Sequence, residues 1–150
     1  KTNWLNNVSY LTQENNLLDE SILRNVTFEF DNEKIDFNLF EEVCNQSGLR
    51  NLIQKLPEKH NTEIGQKGIT ISGGEKQRIG IARSLYAKKE ILIFDESTSS
   101  LDDLNKSKFI ETVNNLSLNK TIIIISHDQD VIKNCKIKYT LKNNNLFISS

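Results

Sequence analysis

The stretch that decides the fold is residues 71–102, ISGGEKQRIGIARSLYAKKEILIFDESTSSLD. After Ser72 and two glycines, apolar residues recur at three- and four-residue steps, which predicts a helix that starts at Ser72 and runs to about Tyr86. The run ILIF at 91–94 is continuously apolar and is followed by two acids. That pattern predicts a strand covered on both faces, as in a parallel sheet.

Outward from this stretch the chain continues the same architecture. TIIIIS at 121–126 repeats the apolar run, and a helix is predicted between the two runs at about 103–116. Strand, helix and strand form a crossover unit, which implies parallel strands. The tail at 136–149 is predicted to be an antiparallel hairpin that turns on its asparagines, and WLNNVSYLTQ at 4–13 a further strand. We therefore expect an α/β fold with a mostly parallel sheet flanked by helices.

The stretch from about 19 to 88 is predicted to be helical. Its expected parts are a short helix capped by Asp19 or Ser21, an amphipathic helix at 37–46 ended by Gly48, a second short helix at 49–55, a loop at 57–68 and the helix from Ser72. We expect the loop to have exposed, unpaired backbone because it combines two glycines with scattered charges.

Composition excludes several classes of protein. A formal net charge of −1 on 150 residues does not fit a basic nucleic-acid surface. Cys44 and Cys135 lie too far apart to indicate a zinc site or a disulfide scaffold, and we expect both to be buried thiols in a reducing compartment. No apolar run approaches the ~20 residues that span a bilayer, so we expect no direct membrane insertion by this segment.

The first group of candidate site residues is Ser72, Gly73 and Gly74. The beginning of a helix leaves amide hydrogens unpaired and carries a partial positive charge, so it attracts anions. Glycines allow a phosphate oxygen to approach the backbone, and a serine at the N-cap adds a hydroxyl donor. The same residues also occur in a plain capped helix after a glycine turn, so this motif by itself is weak.

The second group lies at predicted strand ends. Asp95 and Glu96 follow one apolar strand, where ligands of open α/β folds bind, and neighbouring strand residues point to opposite faces. Asp95 can therefore hold a magnesium ion while Glu96 addresses an attacking water. His127 follows the next strand and can contact a phosphate oxygen, whereas His60 in the charged loop is expected to be exposed. The amide of Gln13 can bind a water held by the metal.

In combination and in order, these residues resemble the ATP-binding-cassette (ABC) ATPases. Gln13 resembles the Q-loop, ISGGEKQRIGIARSL the signature motif, ILIFDE the Walker B strand, SSLD at 99–102 the D-loop and ISHD the switch histidine. The resemblance implies a P-loop NTPase-like fold with an inserted helical subdomain. On this basis we expect 1–150 to be a partial ABC ATPase domain, with 19–88 as the helical subdomain and 89–150 as the C-terminal part of the ATP-core sheet.

The resemblance also implies ATP and Mg²⁺ as ligands and a head-to-tail pair of nucleotide-binding domains with ATP between them. Catalytic roles then go to Glu96, His127 and Gln13, and metal binding to Asp95 and Gln13. Ser72, Gly73, Gly74, Glu75 and Asp102 are expected at the nucleotide bound by the partner domain. Family members work with transmembrane domains, so the expected location is the cytoplasmic face of a membrane.

TEIGQKG at 62–68 resembles the loop with which exporter-type cassettes contact their transmembrane domains, which favours an exporter or a lipid-linked flippase. There are two departures from the family pattern. Glu75 replaces the usual glutamine and adds negative charge near the nucleotide. The P-loop pattern is a glycine, four further residues, GK and then serine or threonine. This pattern is absent from the 150 residues. We expect it upstream of Lys1, and we expect these residues alone to be inactive.

Two other classes of protein share part of this pattern. Chromosome-maintenance ATPases share these motifs but place a long coiled coil between Q-loop and signature, and the interval from Gln13 to Ser72 has no heptad run. A soluble, non-transporter ABC ATPase or a non-catalytic interaction module stays open; transmembrane helices encoded upstream in the same reading frame would exclude it.

Overall fold

The computed structural model describes residues 4–12, 15–99 and 101–149. The strands are β1 Val8–Thr12, β2 Glu20–Ser21, β3 Glu63–Ile64, β4 Ile91–Asp95, β5 Thr121–Ile125, β6 Lys138–Lys142 and β7 Asn145–Ser149. The helices are α1 Ile22–Thr27, α2 Phe37–Gln46, α3 Arg50–Lys55, α4 Gly73–Tyr86, α5 Asp103–Leu116 and α6 Gln129–Lys133. Short 3₁₀ turns cover Trp4–Asn7, Asn32–Lys34 and Lys59–Asn61.

The centre of the fold is a parallel sheet in the order β1-β4-β5. The register places Thr12 beside Asp95 and Asp95 beside Ile125, so the carboxyl ends of all three strands are level. The predicted α/β class with parallel strands and flanking helices is confirmed. This level edge is what brings residues from distant parts of the chain together.

Helices α4 and α5 cover one face of the sheet. Leu92 and Phe94 point to this face and are fully buried, and the ring of Phe94 packs edge-on against Phe109 of α5 with centroids 5.1 Å apart. Ser84 of α4 contacts Ser9 of β1, with the two Oγ atoms 2.6 Å apart. These contacts fix both helices on the strands that carry the candidate site.

The other face of the sheet is not covered within the described part of the chain. Tyr10, Ile123 and Ile125 point to it, and about half of each side chain is exposed. The prediction that the apolar runs are covered on both faces is therefore wrong for β5, whose burial alternates along the strand. A continuous apolar run indicates that both faces of a strand are suited to burial. It does not identify the element that covers each face.

The helix predictions are largely confirmed, because their end signals are local in sequence. Ser21, not Asp19, caps α1: its side chain accepts a hydrogen bond from the Arg24 amide. Gly48 follows α2 with a φ of 70°, the left-handed conformation that glycine adopts freely. Helix α5 has the predicted bounds, whereas the five-residue α6 was not predicted.

Two segments differ from the predictions. Residues 4–7 form a 3₁₀ turn instead of the first half of a strand, and the Asn7 carbonyl accepts a hydrogen bond from the Glu90 amide. The loop at 57–68 is not simply exposed and unpaired: β3 pairs antiparallel with β2, and Ile64 is fully buried. Ile64 anchors the loop to the core. The glycines and charged residues around it give no indication of this contact in the sequence.

The tail is the predicted antiparallel hairpin. Asn143 and Asn144 form its turn with φ values of 47° and 60°, and asparagine tolerates this conformation better than most residues. One face of the hairpin presents an exposed apolar row, which consists of Tyr139, Leu141, Leu146 and Ile148.

Three side chains test the predicted environments of cysteine and histidine. Cys44 is buried, and burial raises the pKa of its thiol to about 12, so it is an inert core thiol as predicted. Cys135 is only partly buried, so the prediction was wrong there. His60 is not freely exposed either, because its ring packs edge-on against Phe37 and Phe40 with centroids 5.4 and 5.8 Å away.

Candidate functional site

The tip of α4 is formed by Ser72 and the residues that follow it. Ser72 and Gly73 are exposed, whereas Gly74 is buried against α5. A Cβ added to Gly74 would lie 3.1 Å from Asn105 Cγ, so a larger residue would fit only if the Asn105 side chain moved. Gly73 is therefore accessible to a phosphate oxygen, whereas Gly74 is covered by α5.

Glu75 takes part in the cap of α4. Ser72 Oγ accepts a hydrogen bond from the Glu75 amide at 3.4 Å, and Glu75 Oε2 accepts from the Ser72 amide at 2.9 Å and from Ser72 Oγ at 2.7 Å. This reciprocal arrangement is a capping box, which satisfies donors that a helix beginning otherwise leaves unpaired. The residue that departs from the family pattern thus stabilises the tip and holds its carboxylate beside the serine hydroxyl.

The two acids at the end of β4 have different partners. Asp95 is the last residue of the strand, and its Oδ2 accepts a hydrogen bond from Tyr10 Oη. Glu96 Oε1 lies 3.5 Å from His127 Nε2. The carboxylates therefore address separate groups, and the contact with Tyr10 raises the pKa of the tyrosine, mainly through the hydrogen bond to Asp95.

The backbone of Glu96 has a φ of 47°. Left-handed backbone is uncommon for a residue with a side chain and costs free energy that neighbouring contacts must offset. Here the Glu96 amide donates to the Ile125 carbonyl at 2.9 Å, and the Glu96 carbonyl accepts from the amide and hydroxyl of Ser99. These bonds turn the chain sharply at the edge of the sheet and direct Glu96 toward the loop after β5.

His127 lies in that loop, and its side chain is 98% exposed. The next residue, Asp128, accepts a hydrogen bond from Asp130 as the cap of α6 and forms an ion pair with Lys106 of α5, with Nζ and Oδ2 2.6 Å apart. The hydrogen bond from Lys106 lowers the pKa of Asp128. The backbone beside His127 is thus held in place while the imidazole stays accessible to a ligand.

Asp102 caps α5, and its Oδ1 accepts a hydrogen bond from the Asn105 amide at 2.8 Å. Asn105 also contacts α4, because Arg78 Nη2 donates to its Oδ1 at 3.1 Å. Of the predicted D-loop, Ser100 lies outside the described residues. The interhelix contacts of Asn105 were missed from the sequence, which gives no signal for a partner on α4.

Gln13 also lies outside the described residues, whereas the segment from Asn16 to Asn25 is well anchored. Asn25 is fully buried, and its side chain bonds to the Leu18 amide and to the carbonyls of Leu18, Glu20 and Ser21. Arg83 of α4 donates to the carbonyls of Asn16 and Asn25 and stacks on the ring of Phe28, 4.3 Å from its centroid.

The roles of Asn25 and Arg83 were not predicted, although the sequence holds a signal for one of them. Arg83 lies on the apolar face of α4, where a charge needs buried partners, and burial lowers the pKa of its guanidinium. Together the two residues tie the segment from Asn16 to Asn25 to the helix whose tip is Ser72.

The described residues do not form a metal site of their own: within these ranges, no group of three or more His, Cys, Asp or Glu side chains could hold an ion. Asp95 offers one carboxylate at the edge of the sheet. Mg²⁺ commonly binds through one or two carboxylates together with water and substrate phosphates. The donor set therefore fits Mg²⁺ that arrives with a phosphate ligand, and it does not fit a closed structural metal site.

Comparison with known proteins assigns the family. Residues 1–99 match a family described as "ABC transporter". The chain belongs to the ABC transporter family. Over 132 residues it is 36% identical to the alpha-hemolysin translocation ATP-binding protein HlyB of Escherichia coli O157:H7, a match that covers 87% of this chain and 18% of that protein. Over 141 residues it is 32% identical to human ATP-binding cassette sub-family B member 5, covering 93% of this chain and 11% of that protein.

A solved structure agrees with this ABC transporter assignment. It is titled "Structure of a bacterial Atm1-family ABC exporter with ATP bound", is 27% identical, superposes with a TM-score of 0.80, and the match covers 95% of this chain and 25% of that one. The predicted partial P-loop NTPase-like fold of exporter type is thereby confirmed.

The chain spans 9% to 21% of the length of the curated relatives that it matches. Among the described residues there is no helix of the length and apolar character needed to cross a membrane.

Proposed function

We propose that this chain is part of a nucleotide-binding domain that hydrolyses ATP to drive an exporter-type ABC transporter. The observation that carries the proposal is the pairing of Glu96 with His127 at 3.5 Å, on loops that leave two neighbouring parallel strands at the same level. This edge is where ligands of open α/β folds bind. Relatives are named for translocation of alpha-hemolysin and for multidrug resistance, which favours export over import.

In the proposed reaction a water attacks the γ-phosphate in line with the leaving diphosphate. Glu96 orients this water and accepts its proton, and His127, exposed and held beside Glu96, donates a hydrogen bond to the γ-phosphate. When bound, Mg²⁺ neutralises charge that develops on the phosphates. Asp95 would hold the ion together with Gln13, and Tyr10 orients the Asp95 carboxylate through its hydroxyl.

Ser72 and Gly73 act on the nucleotide held by a second nucleotide-binding domain in the head-to-tail pair. Their exposure on the tip of a 14-residue helix makes this helix beginning accessible to an anion, and the Ser72 hydroxyl would exchange its hydrogen bond to Glu75 for one to the phosphate. Asp102 lies at the beginning of α5, which contacts that tip through Asn105, and it would face the same interface. The transmembrane domains would contact TEIGQKG on the cytoplasmic face of the membrane.

The phosphate cradle has to come from residues other than these 150, because they contain no P-loop sequence. We therefore expect ATP hydrolysis only when this chain is part of the full-length protein. The test is steady-state ATPase activity of the full-length protein and of the 150-residue chain. A turnover of ~1 per second by the 150-residue chain alone would contradict the proposal that hydrolysis needs a phosphate cradle from other residues.

Substitution of Glu96 tests its role. In the full-length protein, Glu96→Gln should lower kcat by about 10²- to 10⁴-fold, because the variant has no carboxylate base, and should leave ATP binding intact. Glu111→Gln is the control, since Glu111 is an exposed residue on α5. Unchanged kcat in Glu96→Gln would remove Glu96 from the mechanism.

A separate test concerns Ser72, because capping and anion binding can be distinguished. Aspartate is as good an N-cap as serine, but it repels phosphate. In a Glu75→Gln background, which removes the carboxylate beside position 72 and keeps a residue that fits a capping box, Ser72→Asp should preserve the unfolding midpoint and abolish ATPase activity, whereas Ser72→Ala should lower both. Ser21, the N-cap of α1, gives the matched control: Ser21→Asp should preserve both stability and activity. If Ser72→Asp retained full activity, the serine would be a cap and nothing more.

A further inference from the structure

Two buried hydrogen bonds connect α4 to the turn after Glu96 and to the end of β1. Gln77 Nε2 donates to the Ser97 carbonyl at 2.9 Å, and Ser97 Oγ donates to the Leu11 carbonyl at 3.0 Å. Gln77 is 5% exposed and Ser97 is 6% exposed. Three segments that are distant in sequence are therefore joined in one short chain of bonds, shielded from water.

Each of the three segments joined by these hydrogen bonds also carries a proposed nucleotide contact. Gln77 is on the helix whose tip is Ser72, Ser97 directly follows Glu96, and Leu11 is two positions before Gln13. The α-helix transmits a displacement along its length because its backbone hydrogen bonds keep it rigid. A shift of α4 would therefore move the turn that carries Glu96.

The two bonds also act on a strained part of the backbone. Glu96 has left-handed backbone, and its neighbour Ser97 is fixed from two sides, by Gln77 at the carbonyl and through its own hydroxyl at Leu11. A buried amide or hydroxyl that loses its partner carries a desolvation cost, so both bonds resist opening. This arrangement supplies the contacts that a strained residue needs to keep its conformation.

We propose that Gln77 and Ser97 are positioning residues that hold the Glu96 turn in register with α4 and thereby set the rate of hydrolysis. Neither residue touches the nucleotide in this scheme. Both act through Glu96, so they affect the chemical step and not the affinity for ATP. The effect on rate rests on the proposed function, whereas the effect on the turn does not.

The first experiment measures amide hydrogen exchange in the 150-residue chain. Gln77→Met keeps the size of the side chain and removes the donor, and Ser97→Ala removes the hydroxyl. Both should speed exchange of the Ser99 amide, which donates to the Glu96 carbonyl, by about tenfold relative to the core amides of β4. Ser84→Ala is the matched control, because Ser84 is also a buried serine that joins α4 to β1. It should leave the Ser99 amide unaffected relative to the core.

The second experiment measures ATPase kinetics of the full-length protein. Gln77→Met and Ser97→Ala should each lower kcat about tenfold with KM for ATP changed by less than about twofold, the pattern of a lost transition-state interaction. The double variant should lose little more than either single variant, because the two residues act as one unit. Ser84→Ala should leave kcat unchanged and combine additively with Gln77→Met.

The outcomes separate the two claims. If the unsubstituted full-length protein does not hydrolyse ATP, the proposed function is wrong, and hydrogen exchange still decides whether Gln77 and Ser97 hold the turn. If exchange at Ser99 is unchanged in Gln77→Met, or if Ser84→Ala lowers kcat as much as Gln77→Met, the positioning role is refuted.

Discussion

At the scale of single residues, Glu96 combines the proposed base with an unfavourable backbone conformation. A residue with a Cβ pays about 1 to 2 kcal/mol in the left-handed region, and glycine does not. Glu96→Gly should therefore be more stable than Glu96→Ala by about 1 kcal/mol, measured by urea unfolding of the 150-residue chain.

The same pair of substitutions at Glu111, in the middle of α5, gives the control for Glu96. At that position the glycine variant should be less stable than the alanine variant by about 1 kcal/mol, because alanine favours a helix more than glycine does. Identical ordering at both positions would show that the conformation of Glu96 is not strained.

Asn25 has a dense set of polar contacts between the end of β1 and α1. Its amide makes four hydrogen bonds to backbone groups while fully buried, so Asn25→Ala would leave several buried groups unpaired. We expect a loss of about 2 to 3 kcal/mol in the free energy of unfolding. Asn45→Ala, at an exposed position on α2, should change it by less than about 0.5 kcal/mol. Denaturant midpoints of both variants provide the measurement, and equal effects would contradict the prediction.

At the scale of elements, the ion pair between Lys106 and Asp128 joins α5 to the loop that carries His127. The hydrogen bond between them lowers the pKa of Asp128 below its ordinary 3.8 and raises the pKa of Lys106 above its ordinary 10.5. The contribution of Asp128 to the free energy of unfolding is present above pH 3.8 and is lost as the pH falls through the lowered pKa. That of Lys106 is present below 10.5 and is lost as pH rises through the raised pKa.

It follows that the stability difference between the unsubstituted chain and Lys106→Met should be constant from about pH 5 to about pH 9 and should shrink outside that window. Thermal or urea unfolding across pH measures it. Lys133→Met is the matched control, because Lys133 and Asp130 form a largely exposed pair at 3.6 Å, which should contribute nothing measurable. A difference that persists at acid pH would mean that Lys106 acts through packing alone.

Elements with local end signals could be predicted from the sequence. Ser72 and Asp102 cap α4 and α5 within three residues of themselves, and those helices begin where predicted. Contacts between distant segments could not. The hydrogen bond from Tyr10 to Asp95 spans 85 positions and requires the register of β1 against β4. Burial of Ile64 and shielding of His60 depend in the same way on partners that no local pattern identifies.

At the scale of the whole molecule, apolar surface remains uncovered on the hairpin and on the open face of the sheet. The apolar row on the hairpin is at least 60% exposed at every position, and contiguous apolar surface of this kind drives association. We expect the 150-residue chain to self-associate as its concentration rises, measured by sedimentation velocity. Leu146→Lys should reduce the association.

Leu118→Lys is the control for the hairpin variant, because Leu118 is a similarly exposed leucine in the turn after α5. It should not change the association. A chain that stays monomeric at every concentration, or equal effects of both lysines, would refute a role for the row.

The contacts of Asn105 have a consequence for how the site can move. Gly74 packs against the Asn105 side chain, and Arg78 donates to the side-chain oxygen of Asn105. The backbone amide of Asn105 donates to the Asp102 carboxylate. Asn105 thus joins the start of α4 to the start of α5 at one point. We expect a ligand that draws Ser72 toward itself to displace Asp102 as well, so in the proposed head-to-tail pair these two motifs would move together.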